Sequence, residues 1–272
     1  MQGRFSPLVS GRIQAFPWSW WKQEFILAKR FQFSLMEWTL DQDRLYENPL
    51  MTFSGQAEIR QLCRENGVLV HSLTGDCFMQ KPFWKASQEE KLSLLKDFRA
   101  VLLASSLVGI KLIVIPLVDN GRIENREQEN HLVNDLEAEI PILIKYGIKV
   151  VFESDFSPTE LTRFINRLDK DIFGINYDIG NSASLGMNPN EELAAYGDRI
   201  LNVHIKDRVL GGGTVPLGLG DANFSGVFAG LAKASYTGNY ILQTARSING
   251  QHAKTLCKYR DMCIDWIKTN AS

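Results

Sequence analysis

The sequence lacks the usual marks of nucleic-acid-binding, membrane and secreted proteins. Lysine and arginine total 30 against 31 acidic residues, so no excess of positive charge indicates a nucleic-acid or membrane-surface partner. No apolar run approaches the ~18 residues that span a bilayer. The first residues, MQGRFSPLVSGRIQAF, contain no continuous apolar segment of a signal peptide. We therefore expect a cytoplasmic protein that binds neither nucleic acid nor membrane.

Cysteine and histidine are also scarce, and glycine forms no nucleotide-binding motif. The four cysteines, Cys63, Cys77, Cys257 and Cys263, show no CxxC spacing, which predicts reduced thiols. The glycine cluster GGGTVPLGLG at 211–220 follows the seventh candidate strand and opens no helix. A dinucleotide-binding GxGxxG would instead follow the first strand.

What the sequence does contain is an alternation of short apolar runs with longer amphipathic ones. An apolar run too short for a helix is typical of a strand buried on both faces. Eight candidate strands are Ile13–Phe16, Leu35–Thr39, Val68–Leu73, Ile110–Leu117, Ile148–Ser154, Phe173–Asp178, Ile200–Lys206 and Tyr240–Thr244.

Helix signals lie between these runs. Ser87 followed by Glu90 predicts a capped helix that continues to Val108, and Ser157 before Pro158 predicts a second helix start. Pro141 predicts a break or kink in the run 124–146, which Gly147 ends. Strand followed by helix, repeated eight times, predicts a single (β/α)₈ TIM-barrel domain over residues 1–272. An open doubly wound sheet is the alternative.

Four consecutive candidate strands carry a polar residue at or within two residues of their carboxyl end. These residues are Glu153, Asp178, His204 and Gln243. Because barrel active sites form where strands end, the four side chains should face one volume. Carboxylate, imidazole and amide ligands suit a divalent metal ion such as Mn²⁺, Mg²⁺, Co²⁺ or Zn²⁺.

The motifs VVFES, YDIGN, VHIKD, PLGLGDANF and GNYILQ resemble the second half of the xylose-isomerase-like TIM-barrel superfamily. Within it they are most similar to the ketose and L-ribulose-5-phosphate 3-epimerases. FQFSLMEWTLDQDRL resembles that family's second strand, with Glu37 at its end. The resemblance implies a sugar or sugar-phosphate isomerase or epimerase whose metal ligands are Glu, Asp, His and Glu. Gln243 departs from this pattern, because an amide can offer an oxygen but cannot take a proton.

The expected reaction is proton transfer next to a carbonyl through a metal-stabilised enediolate. Glu153 is the candidate base. With glutamine at position 243, the second proton carrier has to come from elsewhere. Glu37, His71 and Asp76 lie near the expected ends of the second and third candidate strands and could supply it.

Cationic residues after the seventh and eighth candidate strands suit a phosphate or other anion. These are Lys206, Arg208 and Arg246. The family resemblance implies that Arg208 and Asn181 contact substrate oxygens. The expected partner is thus a small-molecule sugar or sugar phosphate, and a homo-oligomer remains open.

Other functions compatible with the same scaffold are a metal-dependent dehydratase or lyase, and a non-catalytic sugar-binding relative that lost its second acid. A DNA-repair nuclease with this barrel would need a histidine-rich zinc site and a basic surface. The chain has only His71, His131, His204 and His252 and a net charge of −1, which disfavours the nuclease.

Overall fold

The computed structural model describes residues 1–9, 11–12 and 14–270. The parallel strands are β1 (Leu35–Thr39), β2 (Leu69–Thr74), β3 (Leu112–Leu117), β4 (Lys149–Ser154), β5 (Phe173–Asp178), β6 (Ile200–Ile205) and β9 (Asn239–Leu242). They form one sheet in the order β1-β2-β3-β4-β5-β6-β9, which curls into a nearly closed barrel. Two short strands, β7 (Asp207–Arg208) and β8 (Thr214–Val215), pair antiparallel above it.

Helices surround the sheet and connect successive strands. They are α1 (Trp21–Arg30), α2 (Phe53–Asn66), α3 (Asp76–Gln80), α4 (Gln88–Val108), α5 (Arg126–Tyr146), α6 (Pro158–Ile165), α7 (Ile179–Ser184), α8 (Pro189–Tyr196), α9 (Phe224–Lys233) and α10 (His252–Asn270). This confirms the predicted TIM-barrel class. No helix in the described ranges is long and apolar enough to cross a membrane.

The prediction of a first strand at Ile13–Phe16 is wrong for its described part. Residues 14–16 form no strand, and Ile13 lies outside the described residues. The gap between β9 and β1 is instead bridged by residues 1–2. The carbonyl of Met1 accepts a bond from the Glu37 backbone at 2.9 Å, and the Gln2 backbone N–H donates to Leu242 at 3.2 Å. The seven later candidate strands all occur, with ends shifted by at most two residues.

The helix signals read from the sequence have one correction. Ser87 caps α4, and Ser157 forms a complete capping box at the start of α6. Gly147 ends α5 at φ 61°, a left-handed conformation that glycine adopts without steric cost. Pro141 does not break α5, which continues from Arg126 to Tyr146. Pro141 is exposed, so water can satisfy the backbone carbonyl that loses its partner.

The barrel interior is divided into an apolar and a polar zone. Leu112, Val114 and Val151 form a small apolar cluster inside it, while the main core lies between the strands and the helices. Towards the carboxyl ends of the strands the buried interior becomes polar, with Glu37, Ser72, Asn176, Asn202 and His204. Burying so many polar groups is costly unless each is hydrogen-bonded, which points to a functional site at this end.

Candidate metal centre and active site

Three predicted ligands converge at the carboxyl ends of β4, β5 and β6. His204 Nδ1 lies 3.2 Å from Glu153 Oε2 and 3.8 Å from Asp178 Oδ2. One ligand atom from each residue lies within 4.8 Å of the others, and all three side chains are buried. Two carboxylate oxygens and an imidazole nitrogen form a donor set that suits a hard or borderline divalent cation. By this geometry the three residues fit such an ion.

Two irregularities in the sheet help to aim these side chains. Between β5 and β6 the register shifts after Ile175, so that Asn176 faces Asn202 and Asp178 faces His204. Between β1 and β2 it shifts after Met36, so that Glu37 faces Ser72. A bulge turns the following residues to a new face, and bulges commonly lie next to active sites.

Glu37 orients His204 from beneath. Its Oε1 lies 2.7 Å from His204 Nε2, while Nδ1 on the other side of the ring faces Glu153 and Asp178. A carboxylate behind a ligating histidine is the usual way that proteins fix the ring and its tautomer. Burial alone would raise the pKa of Glu37, but His204 and the Thr74 and Ser72 hydroxyls outweigh it and lower this pKa to about 2.

The Glu37 carboxylate has no room for substrate. Its two oxygens also accept hydrogen bonds from Gln2, Ser72, Thr74 and Asn202 at 2.7–3.3 Å. The side chain is fully enclosed in the barrel and does not line the cavity described below. The structure therefore places Glu37 as a support for His204 and not where it could serve as the second proton carrier.

The pKa of His204 is shifted by the same neighbours. Burial disfavours the charged imidazole, but Glu37, Asp178 and Glu153 together raise its pKa well above the ordinary value. A cation and a proton compete for Nδ1. Metal affinity should therefore fall as the pH is lowered.

Lys206 contacts the same Asp178 oxygen that faces His204. Its Nζ is 2.6 Å from Asp178 Oδ2 and donates to Gln243 Oε1 at 2.7 Å. Burial opposes ionisation of Asp178, but Lys206 and His204 lower its pKa to about 2. The stem of Lys206 packs on Gly180, where a Cβ would lie only 2.7 Å from the lysine Cγ. The Lys206 ammonium group is thus already bonded to Asp178 and Gln243 and is not a free anion-binding group.

Gln243 uses both ends of its amide. The oxygen accepts from Lys206, and Nε2 donates to Gln14 Oε1 at 3.0 Å. Gln14 Nε2 in turn donates to both carboxyl oxygens of Asp76 at 2.8 Å. Gln243 is therefore linked to Asp178 through Lys206, and the oxygen expected to coordinate a cation is bonded to an ammonium group.

Glu153 is the member of the triad that reaches the open cavity. Its oxygens accept from Asn181 Nδ2 at 2.7 Å and from Asn176 Nδ2 at 3.0 Å. The cavity has a volume of about 440 Å³, large enough for a small sugar. Its polar lining includes Gln14, Asp76, Glu153, Asn181, Lys206 and Arg208.

Three arginines line the same cavity. Arg208 donates to Asn181 Oδ1 at 2.9 Å and to the Gly212 carbonyl, which holds its guanidinium over the site. Arg12 and Arg122 were not predicted from the sequence, because neither follows a candidate strand end. Arg122 pairs with Asp155, and Arg12 is exposed at the cavity.

Two predicted site residues lie elsewhere. His71 Nδ1 is bonded to Asn239 at 2.8 Å, and Asn239 begins β9 whereas Gln243 follows its end. His71 is therefore at the opposite end of the barrel from the cavity. Arg246 donates to the carbonyls of Ser6 and Gly3 and so holds the first residues of the chain, away from the cavity lining.

Asn176 and Asn202 are site residues that reading strand ends alone did not find. Asn202 donates to Asn176 Oδ1 at 2.8 Å, and together they connect Glu37 to Glu153. Each lies two residues before a predicted ligand, Asp178 or His204. Since side chains alternate along a strand, that spacing of two would have indicated the same face.

A family model described as the xylose isomerase-like TIM barrel matches residues 25–260. The chain belongs to this family. It is similar to the L-ribulose-5-phosphate 3-epimerase UlaE of Escherichia coli (strain SMS-3-5 / SECEC), with 24% identity over 257 residues that cover 91% of this chain and 89% of that protein.

Solved structures share the fold at lower identity. The IolI protein with a bound zinc atom has a TM-score of 0.74 and 15% identity, over 92% of this chain and 94% of that one. A D-psicose 3-epimerase from Clostridium cellulolyticum H10, solved with D-tagatose, has a TM-score of 0.71 and 12% identity, over 93% and 94% of the two chains.

Proposed function

We propose that this protein is a sugar or sugar-phosphate isomerase or epimerase that moves a proton next to a carbonyl group. The observation that carries the proposal is the convergence of Glu153, Asp178 and His204, with Glu153 reaching a sugar-sized cavity. The similarity to an L-ribulose-5-phosphate 3-epimerase, over nearly the full length of both chains, supports the same reaction class.

Glu153, Asp178 and His204 would hold the divalent cation, with Glu37 fixing the histidine. When bound, the cation supplies Lewis-acid stabilisation of the negative charge that develops on the carbonyl oxygen. Gln243 is the weakest of the four ligands predicted from the sequence, because its oxygen already accepts from Lys206.

Glu153 is the proposed base. Asn176 and Asn181 orient its two oxygens, which keeps the carboxylate directed at the cavity. Removing a proton from the carbon beside the carbonyl leaves an enediolate, and a positioned carboxylate contributes roughly 10²–10⁴ to such a step. Asn181 and Arg208 line the cavity next to Glu153 and would contact substrate oxygens.

The three arginines at the cavity favour a substrate with an anionic group, such as a sugar phosphate. Arginine is well suited to phosphate because its planar N–H groups can bind two oxygens at once. Arg12, Arg122 and Arg208 replace the predicted Lys206–Arg208 pair in this role, since Lys206 is paired with Asp178.

The test is incubation of the metal-loaded protein in D₂O with a panel of ketoses, aldoses and their phosphates. Deuterium at a carbon beside the carbonyl, followed by NMR, supports the proposal and identifies the position of exchange. Loss of water would indicate a dehydratase or lyase. Binding of sugars without exchange by the wild type would show a non-catalytic relative.

A further inference from the structure

An epimerisation or isomerisation that Glu153 begins needs a second proton carrier, and residue 243 is an amide. Among the candidate acids read from the sequence, Glu37 is enclosed beneath His204 and His71 lies at the other end of the barrel. Asp76 differs from both, because its side chain lines the same cavity as Glu153.

The backbone around Asp76 holds it in this place. Asp76 is the first residue of α3, directly after β2 and Gly75. A Cβ on Gly75 would lie 2.5 Å from the ring of Phe78, so the close turn from strand to helix requires glycine. The Asp76 carboxyl is therefore directed by a tight, packed turn and not by a loose loop.

A chain of side-chain amides holds the carboxyl itself. Gln14 donates to Asp76, and Gln243 donates to Gln14 while accepting from Lys206. A glutamate at position 243 would have no N–H to give Gln14. The amide at position 243 thus has a structural reason: it positions Gln14, which positions Asp76.

The surroundings of Asp76 favour its protonated form. The pKa of Asp76 is raised to about 8, and burial is the largest cause. The Asp41, Glu153 and Glu37 carboxylates also raise this pKa, whereas the hydrogen bond from Gln14 lowers it. The charge of the buried Arg4 also interacts with the Asp76 carboxylate. A carboxyl that keeps its proton at neutral pH can act as a general acid.

We propose that Asp76 is the catalytic acid that returns a proton to the substrate carbon after Glu153 has removed one. This inference rests on the isomerase or epimerase activity proposed above. Glu153 breaks the C–H bond and keeps the proton, and the electron pair moves into the enediolate. The O–H bond of Asp76 then breaks, its proton forms the new C–H bond, and the carbonyl returns. Exchange with water afterwards removes the proton from Glu153 and restores the one on Asp76.

Asp76→Asn tests this assignment, because the amide can still accept from Gln14 but carries no acidic proton. In D₂O, we expect conversion of substrate to product to fall by at least ~100-fold, the usual contribution of a positioned acid. Deuterium should still enter the recovered substrate within about fivefold of the wild-type rate, since Glu153 can remove and return a proton alone. Asp76→Glu, which restores an acid, should recover part of the conversion.

Asp135→Asn, on the outer helix α5 and outside the cavity, is the matched control and should behave as the wild type. Equal loss of exchange and conversion in Asp76→Asn would overturn the assignment, because it would indicate a collapsed site. Unchanged conversion would overturn it too. If the wild type exchanges no deuterium into any substrate, the proposed function fails first and the inference falls with it.

Discussion

Replacing Lys206 by methionine tests the arrangement of charges around the candidate metal centre. The methionine keeps most of the stem that packs on Gly180 but removes the ammonium group. Asp178 then loses its contact at 2.6 Å, and the Gln243 oxygen loses its donor at 2.7 Å. Both groups are buried, so water cannot replace the lost partner.

The size of the effect follows from the burial. Breaking a buried ion pair by removing one partner costs about 3–5 kcal/mol, because it leaves an uncompensated charge. For a chain of this size each kcal/mol lowers Tm by roughly 2–4 °C, so the metal-free variant should melt about 10 °C below the wild type. The exposed Lys96→Met on α4 is the control and should change Tm little.

A divalent cation should reverse the defect. Two unit charges 4 Å apart at an effective dielectric constant of 20 interact by about 4 kcal/mol, so an ammonium group and a divalent cation repel by about 8 kcal/mol. If a sixth of that repulsion is relieved, the affinity for Mn²⁺ should rise about tenfold, since 1.4 kcal/mol is a factor of ten. Calorimetric titration and thermal melts with and without Mn²⁺ measure both effects. A variant with wild-type stability and wild-type affinity would refute the proposed charge arrangement.

Three further predictions follow from the site. Glu37→Gln should weaken Mn²⁺ binding roughly 10–100-fold by calorimetry, because His204 loses the carboxylate that orients it. Arg208→Ala should raise KM for a sugar phosphate more than it lowers kcat if the contact is the same in the ground and transition states. Wild type should lose stability relative to Asp76→Asn in urea melts as pH rises from ~4 to ~8, because folding raises the pKa of Asp76 from 3.8 to about 8.

Each of these has an outcome that contradicts it. Unchanged Mn²⁺ affinity in Glu37→Gln would mean that His204 is not a ligand. A loss in kcat alone for Arg208→Ala would place that contact in the transition state. Parallel stability curves for wild type and Asp76→Asn over this pH range would show that the Asp76 carboxyl is ionised in the folded protein.

The sequence by itself determined the class of fold and the convergence of Glu153, Asp178 and His204. Strands buried on both faces read as short apolar runs, and successive parallel strands must end at the same edge of a barrel. Both features depend only on the succession of residues along the chain. The N-cap at Ser87 and the capping box at Ser157 were likewise readable, because a cap depends on residues only three apart.

Tertiary structure decided which polar residues serve the cavity. The two register shifts in the sheet, after Met36 and after Ile175, depend on pairing with neighbouring strands, and no local pattern encodes them. Closure of the barrel by residues 1–2 was equally invisible, since these two residues form no apolar run.

The roles of Lys206, Gln243 and Asp76 depended most on the three-dimensional arrangement. From the sequence alone, Lys206 is predicted to bind an anion. Gln243 is predicted to be a metal ligand in which an amide replaces the glutamate of the family pattern. In the fold, residues 14, 76, 206 and 243, far apart in the chain, form one hydrogen-bonded network beside Asp178. A buried polar group is governed by the partners that satisfy it, and only the folded chain brings those partners together.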